Sequence, residues 1–151
     1  MEYEIVNITE KLLVGVGART NNQSPNVTQI IGGLWQQLFG ENLYLTMNQK
    51  KDDTTICLYD HYEADWTGDY DVTIGCEVNT IEGNEAYIVK HIQAGRYAKF
   101  ILKGDMNQVV PMFWNKLWQM KELKRSYKSD FEHYINNDVQ NSEIHMYISI
   151  E

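Results

Sequence analysis

The sequence predicts an α+β fold of tandem duplicated β-α-β-β units, with antiparallel sheets carrying one helix each and a groove at their pseudo-two-fold junction. Three observations lead there. Two amphipathic helical stripes of similar composition occupy corresponding places in the two halves of the chain. Each is preceded by a long, Ile- and Val-rich run interrupted by glycine. Each is followed by short runs that alternate apolar and polar residues, the period of half-buried strands.

Residues 3–8 and 11–19, broken by Gly15 and Gly17, read as one extended, bent strand. Ser24-Pro25-Asn26 is a turn, and Ser24 or Asn26 offers a helix cap. From Val27 the apolar positions run Ile30, Ile31, Leu34, Trp35, Leu38 and Phe39, one face of a helix that Gly40 stops. Gly32 and Gly33 weaken that helix but allow another element to come close. Leu43–Met47, Thr54–Tyr59 and Asp71–Val78 read as three strands.

The pattern then restarts. Ala86–Ile92 and Arg96–Leu102 form a second interrupted strand, with Gly95 at the break. Asp105 or Asn107 caps a second helix with the stripe Val109, Val110, Met112, Phe113, Leu117, Trp118 and Met120; Pro111 falls in its first turn or two. Phe131–Ile135 and Ile144–Ile150 are strands again. The halves superpose as Ile5-Val6 on Ile88-Val89 (a shift of 83), Ile30-Ile31 on Val109-Val110 (79) and Val72 on Ile144 (72). Shrinking shifts are what duplicated units with drifting loops would leave; the alternative is chance similarity between amphipathic patterns. The expectation is one domain over 1–151, with repeats over roughly 1–80 and 84–151.

The 151 residues suit one domain, and 43% hydrophobic with 23% charged suits a packed core. No apolar run reaches the roughly 18 residues of a membrane span, and the N-terminus lacks a secretory signal pattern, so a cytoplasmic location and no membrane partner are expected. A net charge of −8 and a pI near 4.9 disfavour direct nucleic-acid binding, which depends on Lys and Arg displacing counterions. The one basic cluster, Lys121, Lys124, Arg125 and Lys128, reads as the solvated end of the second helix. Cys57 and Cys76 lie in apolar runs and read as buried, unreactive thiols. No two of His61, His91, His133 and His145 sit four apart on a helix, so no metal and no cofactor are expected.

Several stretches together resemble the GyrI-like, or AraC-type effector-binding, family of small-molecule-binding domains. They are Asp69-Tyr70-Asp71-Val72-Thr73-Ile74-Gly75-Cys76-Glu77-Val78, Gly95-Arg96-Tyr97-Ala98-Lys99-Phe100, Trp114-Asn115-Lys116-Leu117-Trp118, Asp130-Phe131-Glu132-His133-Tyr134 and the Glu143–Ile150 strand. Their order spans the chain. Met120-Lys121-Glu122-Leu123 departs from the family's Trp-Leu-Pro after the second helix. The resemblance implies a central groove in which an acidic residue, here Glu132, meets cationic or polar aromatic ligands inside an aromatic pocket. Some members stand alone, as this chain is expected to; some are fused to DNA-reading segments; some resemble hydrolases of cyclopropane-containing genotoxins.

The residues themselves add detail. On a strand, Glu132 and Tyr134 share one face while Phe131 and His133 take the other. A carboxylate in an aromatic box suits a delocalised cation; the alternative is a surface Glu paired with a lysine. Tyr147, on the polar side of the last strand, faces either water or the groove, and Gly75 stands at its matching position, leaving room for a ligand or marking a bulge. Trp35 and Trp114 match each other and are core residues or pocket walls. Trp66, Tyr59, Tyr62 and Tyr70 form an aromatic loop region, a lid or a wall. The ligand-binding candidates are therefore Glu132, Tyr134, Tyr147, Trp35, Trp114, Gly75 and Tyr70. The ligand expected is an aromatic or cationic small molecule, in a transcription-regulation or xenobiotic-response setting. Two alternatives stay open. One is hydrolysis of an electrophile, with Glu132 as base and Tyr147 as donor. The other is a protein partner such as a topoisomerase, met by the acidic surface.

Overall fold

A computed structural model describes all residues, Met1–Glu151. Eight strands form one antiparallel sheet: β1 (Glu4–Ile8), β2 (Lys11–Asn21), β3 (Thr55–Asp60), β4 (Asp69–Glu77), β5 (Ile88–Ile92), β6 (Gly95–Gly104), β7 (Arg125–Tyr134) and β8 (Ser142–Ile150). Their order across the sheet is β1-β6-β8-β7-β3-β4-β2-β5. Reading outward from the centre, β3-β4-β2-β5 mirrors β7-β8-β6-β1, the pseudo-two-fold that the repeat predicts. The two halves are fused edge to edge, because β3 pairs with β7 in register from Thr55↔Tyr134 to Asp60↔Ser129.

The leading strands are exchanged. β1 pairs with β6 of the second half, and β5 pairs with β2 of the first. Residues 3–19 are thus two strands that never pair with each other, rather than one bent strand. Only Thr9-Glu10 separate the two strands, yet the chain does not fold back into a hairpin there, and each leading strand finds its partner across the molecule.

Helix α1 (Val27–Trp35) runs on through a π-helical turn, Gln36–Gly40, and α2 (Leu43–Thr46) follows. The run Leu43–Met47, expected as a strand, is therefore helical, and Tyr44 closes it by donating to the Thr54 carbonyl at 3.0 Å. Helix α3 (Met106–Gln119) starts on Asp105, whose carboxylate accepts from the Asn107 N–H at 2.9 Å. Asn26 holds the corresponding position before α1, but its side chain is engaged by the Ser24 hydroxyl instead.

Both long helices lie on one face of the sheet. Leu34 and Leu38, with Phe113 and Leu117, pack there on Val72, Ile74, Cys76, Ile144, Met146 and Ile148, the alternate residues of β4 and β8. The opposite face carries a smaller core of Leu13, Ile56, Leu58, Ile92, Tyr97, Phe131 and Tyr147. No helix is long and apolar enough to cross a membrane.

Gly75 faces Gly15 across β4 and β2. A Cβ on Gly75 would stand 1.8 Å from the Val14 carbonyl oxygen, and one on Gly15 would stand 2.2 Å from that of Ile74. The pair lets the two backbones approach more closely than any side chain would allow. Gly75→Ala is expected to cost about 3 kcal/mol or to prevent folding, because the obstacle is backbone and cannot rotate away; urea denaturation of this variant beside Gly33→Ala, whose Cβ meets open space, checks it.

Candidate functional site

Strand β7 lies between β8 and β3, so its side chains sit away from both edges of the sheet. Alternation turns Asp130, Glu132 and Tyr134 to that face. Glu132 is 2% exposed, opposite Cys57 at the centre of the sheet. Its Oε2 accepts from the Tyr59 hydroxyl at 3.0 Å and from Trp114 Nε1 at 2.8 Å, and its Oε1 accepts from the Tyr134 hydroxyl at 2.5 Å. All three donors are neutral. Burial pushes the carboxyl above its ordinary range, and the bonds from Tyr134, Trp114 and Tyr59 pull it only part of the way back. Burial, with the neighbouring carboxylate, holds the Tyr59 and Tyr134 phenols well above 10. They stay protonated at neutral pH and act as donors.

Above this floor lies a cavity of about 440 Å³ between α1, α3 and the β3–β4 loop. Aromatic rings form its walls. Trp35 of α1 meets Tyr134 edge-on at 5.0 Å, and Trp114 of α3 meets Tyr59 edge-on at 5.3 Å. Tyr70 stands edge-on to Tyr59 and donates to Asn22 Oδ1 at 2.7 Å. Trp66, from the loop, stacks on Trp118 with centroids 5.0 Å apart and planes 14° apart, bridging the loop to α3. The Asn22 amide ties the same loop to the end of β2 through the Trp66 carbonyl, at 2.9 Å. Gly32 lines the cavity, and a Cβ there would meet nothing within 4 Å. This glycine widens the cavity; it does not admit a neighbouring element, as the sequence suggested.

A buried ion pair flanks Glu132. Asp130 is one strand repeat away, about 7 Å along β7. It is fully buried and accepts from Arg125 Nη2 at 2.7 Å, from Tyr62 at 2.7 Å and from the Ser149 N–H at 2.9 Å. Arg125 therefore does not belong to a solvated helix end: α3 stops at Gln119, and the Arg125 side chain is 5% exposed at the start of β7. The β-bulge between Arg125 and Asp130, with Tyr127 at φ 56°, breaks the alternation and lets Arg125 reach Asp130.

The fold brings five of the expected residues together: Glu132, Tyr134, Trp35, Trp114 and Tyr70. It separates two. Tyr147 pairs with Phe131, stacks on it at 4.5 Å, and lies on the far face from Glu132, whose neighbour on β8 is Met146. Gly75 also belongs to the far face and serves the close approach to Gly15. The error has one source: the groove opens on the isoleucine side of β8, not on its polar side. Tyr147 therefore cannot donate beside Glu132; Tyr59 and Tyr134 hold that place. Trp118 is a further wall residue, and its place four residues after Trp114 on one helix face is the sequence signal for it. Asp60, His61 and Asp71 also converge, with ligating atoms within 4.8 Å of one another, but the Lys90 ammonium sits among them, 3.2 Å from Asp60 and 2.9 Å from Asp71.

A family model described as Cass2, integron-associated effector binding protein, matches residues 4–150. A Bacillus subtilis (strain 168) relative, "Putative transcriptional regulator protein YobU", is 28% identical over 155 residues, 97% of this chain and 96% of that protein. The Vibrio cholerae integron cassette protein VCH_CASS2 has a solved structure that superposes with a TM-score of 0.74 at 28% identity, covering 97% of this chain and 95% of that one. SAV2435, solved bound to tetraphenylphosphonium, shares the fold with a TM-score of 0.79 at 20% identity, covering 99% and 94%.

Removing one member of the Arg125–Asp130 pair leaves an uncompensated buried charge. Asp130→Ala is therefore expected to lower stability by about 3–5 kcal/mol, with the same shift of midpoint by fluorescence and by circular dichroism in urea.

Proposed function

Because the chain belongs to the Cass2 family of integron-associated effector binding proteins, we propose that it is a receptor for amphipathic aromatic cations, which it senses or sequesters in the cavity above Glu132. The observation that carries this reading is a buried carboxylate held by three neutral donors and facing an aromatic chamber. Ionisation there is costly without a counter-charge. A delocalised cation supplies the charge, and the rings of Trp35, Trp114 and Tyr59 offer it cation–π attraction and apolar contact. A strongly hydrated cation such as an ammonium ion would lose more solvation on entering, so the chemistry favours large, weakly hydrated ions. That SAV2435 takes tetraphenylphosphonium on the same fold supports the choice of ligand class. The name of the B. subtilis relative supports a setting in transcriptional control.

Titration with tetraphenylphosphonium, read by tryptophan fluorescence, tests the proposal. Saturable quenching is expected, because Trp114 and Trp35 border the cavity. Glu132→Gln keeps the size and loses the charge, so affinity is expected to fall by about tenfold or more. Equal affinity in the two proteins would sink the reading. The pH dependence has a definite sign. The cation needs ionised Glu132, and the carboxyl titrates above the ordinary carboxylate range, so affinity declines on acidification earlier than an exposed glutamate would allow. Stability of the free protein moves the other way. The folded state favours protonated Glu132, so this contribution is fully present at low pH and is lost as pH rises through the raised value. In Glu132→Gln both pH effects are expected to disappear.

The cavity's size also predicts selectivity. Gly32→Leu projects a side chain into the chamber and is expected to weaken tetraphenylphosphonium binding severalfold, while adding about 1 kcal/mol of helix stability. Gly33→Ala, on the same helix but outside the chamber, is expected to stabilise without changing affinity.

A further inference from the structure

Arg125 also borders the cavity. Of its five N–H donors only those on Nη2 meet an acceptor, Asp130 at 2.7 Å. Nε and Nη1 are enclosed and have no hydrogen-bond partner. One face of the guanidinium lies on the Tyr127 ring, 4.4 Å from its centroid. Unmet donors of a buried cation are among the more costly defects a fold can carry, and native proteins rarely keep them without a use. Here they belong to a side chain that is 95% enclosed and borders the cavity.

We propose that Arg125 forms a second recognition point in this cavity, donating to an uncharged oxygen acceptor on the ligand. This rests on the proposed function and narrows it: the preferred ligand is an aromatic cation that also carries an amide, ester or ketone carbonyl on the side away from its positive centre. Asp130 already neutralises the guanidinium, so no net positive charge is left to draw in a carboxylate. What is left is donor capacity. A carbonyl satisfies it without setting a new negative charge beside Asp130. The two poles also fix orientation, since Glu132 and the Arg125–Asp130 pair lie side by side on β7 and the ligand must span them.

The test compares tetraphenylphosphonium with its mono-4-carboxamide and mono-4-carboxylate derivatives, by calorimetry on the full chain. The carboxamide is expected to bind about tenfold more tightly than the parent, and the carboxylate to gain less than the carboxamide. Arg125→Lys keeps a cation against Asp130 but removes the spare donors. It is expected to abolish the carboxamide's advantage, read as the ratio of carboxamide to parent affinity within the variant. Should that variant fold poorly, the Arg125 Nε–H resonance of the unaltered protein gives an independent readout. The carboxamide is expected to shift it and slow its exchange, and the parent is not. A carboxamide no tighter than the parent, an advantage that survives in Arg125→Lys, or a carboxylate that binds best overturns the inference while leaving the receptor reading intact. Failure of all three phosphonium ions to bind overturns both.

Discussion

The pairing of β3 with β7 is the contact on which the rest of the molecule depends. It turns two half-sheets into one, and it sets Cys57 against Glu132 on the pseudo-two-fold. Because this seam lies at the middle of eight strands, side chains on its helix face are as far from water as the fold allows. A glutamate placed there is buried whatever its local sequence. The helices then cover the flanks of the seam, α1 from the first half and α3 from the second, and the space left between them is the cavity. Exchange of the leading strands reinforces the seam. Each half contributes a strand to the outer edge of the other, so the halves cannot separate without breaking β1–β6 and β5–β2 as well.

Seen this way, the carboxylate and its surroundings form one unit. Three neutral donors orient Glu132 without neutralising it, and the donors are themselves rings of the chamber wall. Tyr59 carries both roles: its hydroxyl holds Oε2, while its ring meets Trp114 and Tyr70 edge-on. The hydrogen bonds lower the cost of ionisation, and burial keeps a remainder, which the proposed cation would relieve. Stability is sacrificed at this point in a way that suits a binding site, whereas the neighbouring Asp130 has its charge answered by Arg125 and serves the fold. Two acids on one strand, two residues apart, thus have opposite roles, decided by whether a cation of the chain reaches them.

Much of this was legible in the sequence. The helical stripes around Leu34-Trp35 and Phe113-Trp114 and the alternation of Val72–Val78 and Ile144–Ile150 carry the core of the helix face, because burial on one side of a helix or strand leaves a period that local reading detects. The repeat follows from the same periods. Parity alone places Glu132 and Tyr134 on one face, and the aromatic run from Tyr59 to Tyr70 reads as a lid or a wall.

The sequence by itself determined the elements and the parity within each one, since side-chain direction is a property of the local backbone. Tertiary structure decided which face of the sheet would be roofed by helices, and with it the fate of Tyr147 and Gly75. Parity says that Tyr147 and Met146 point opposite ways; it does not say which way the cavity lies. Strand partners were likewise beyond local reading. The exchange of β1 and β5 and the meeting of Arg125 with Asp130 across a bulge depend on where distant backbone groups find partners, and no period in the chain encodes that. The same holds for Leu43–Thr46. A short apolar run fits helix or strand equally well, and nothing in its own period decides between them.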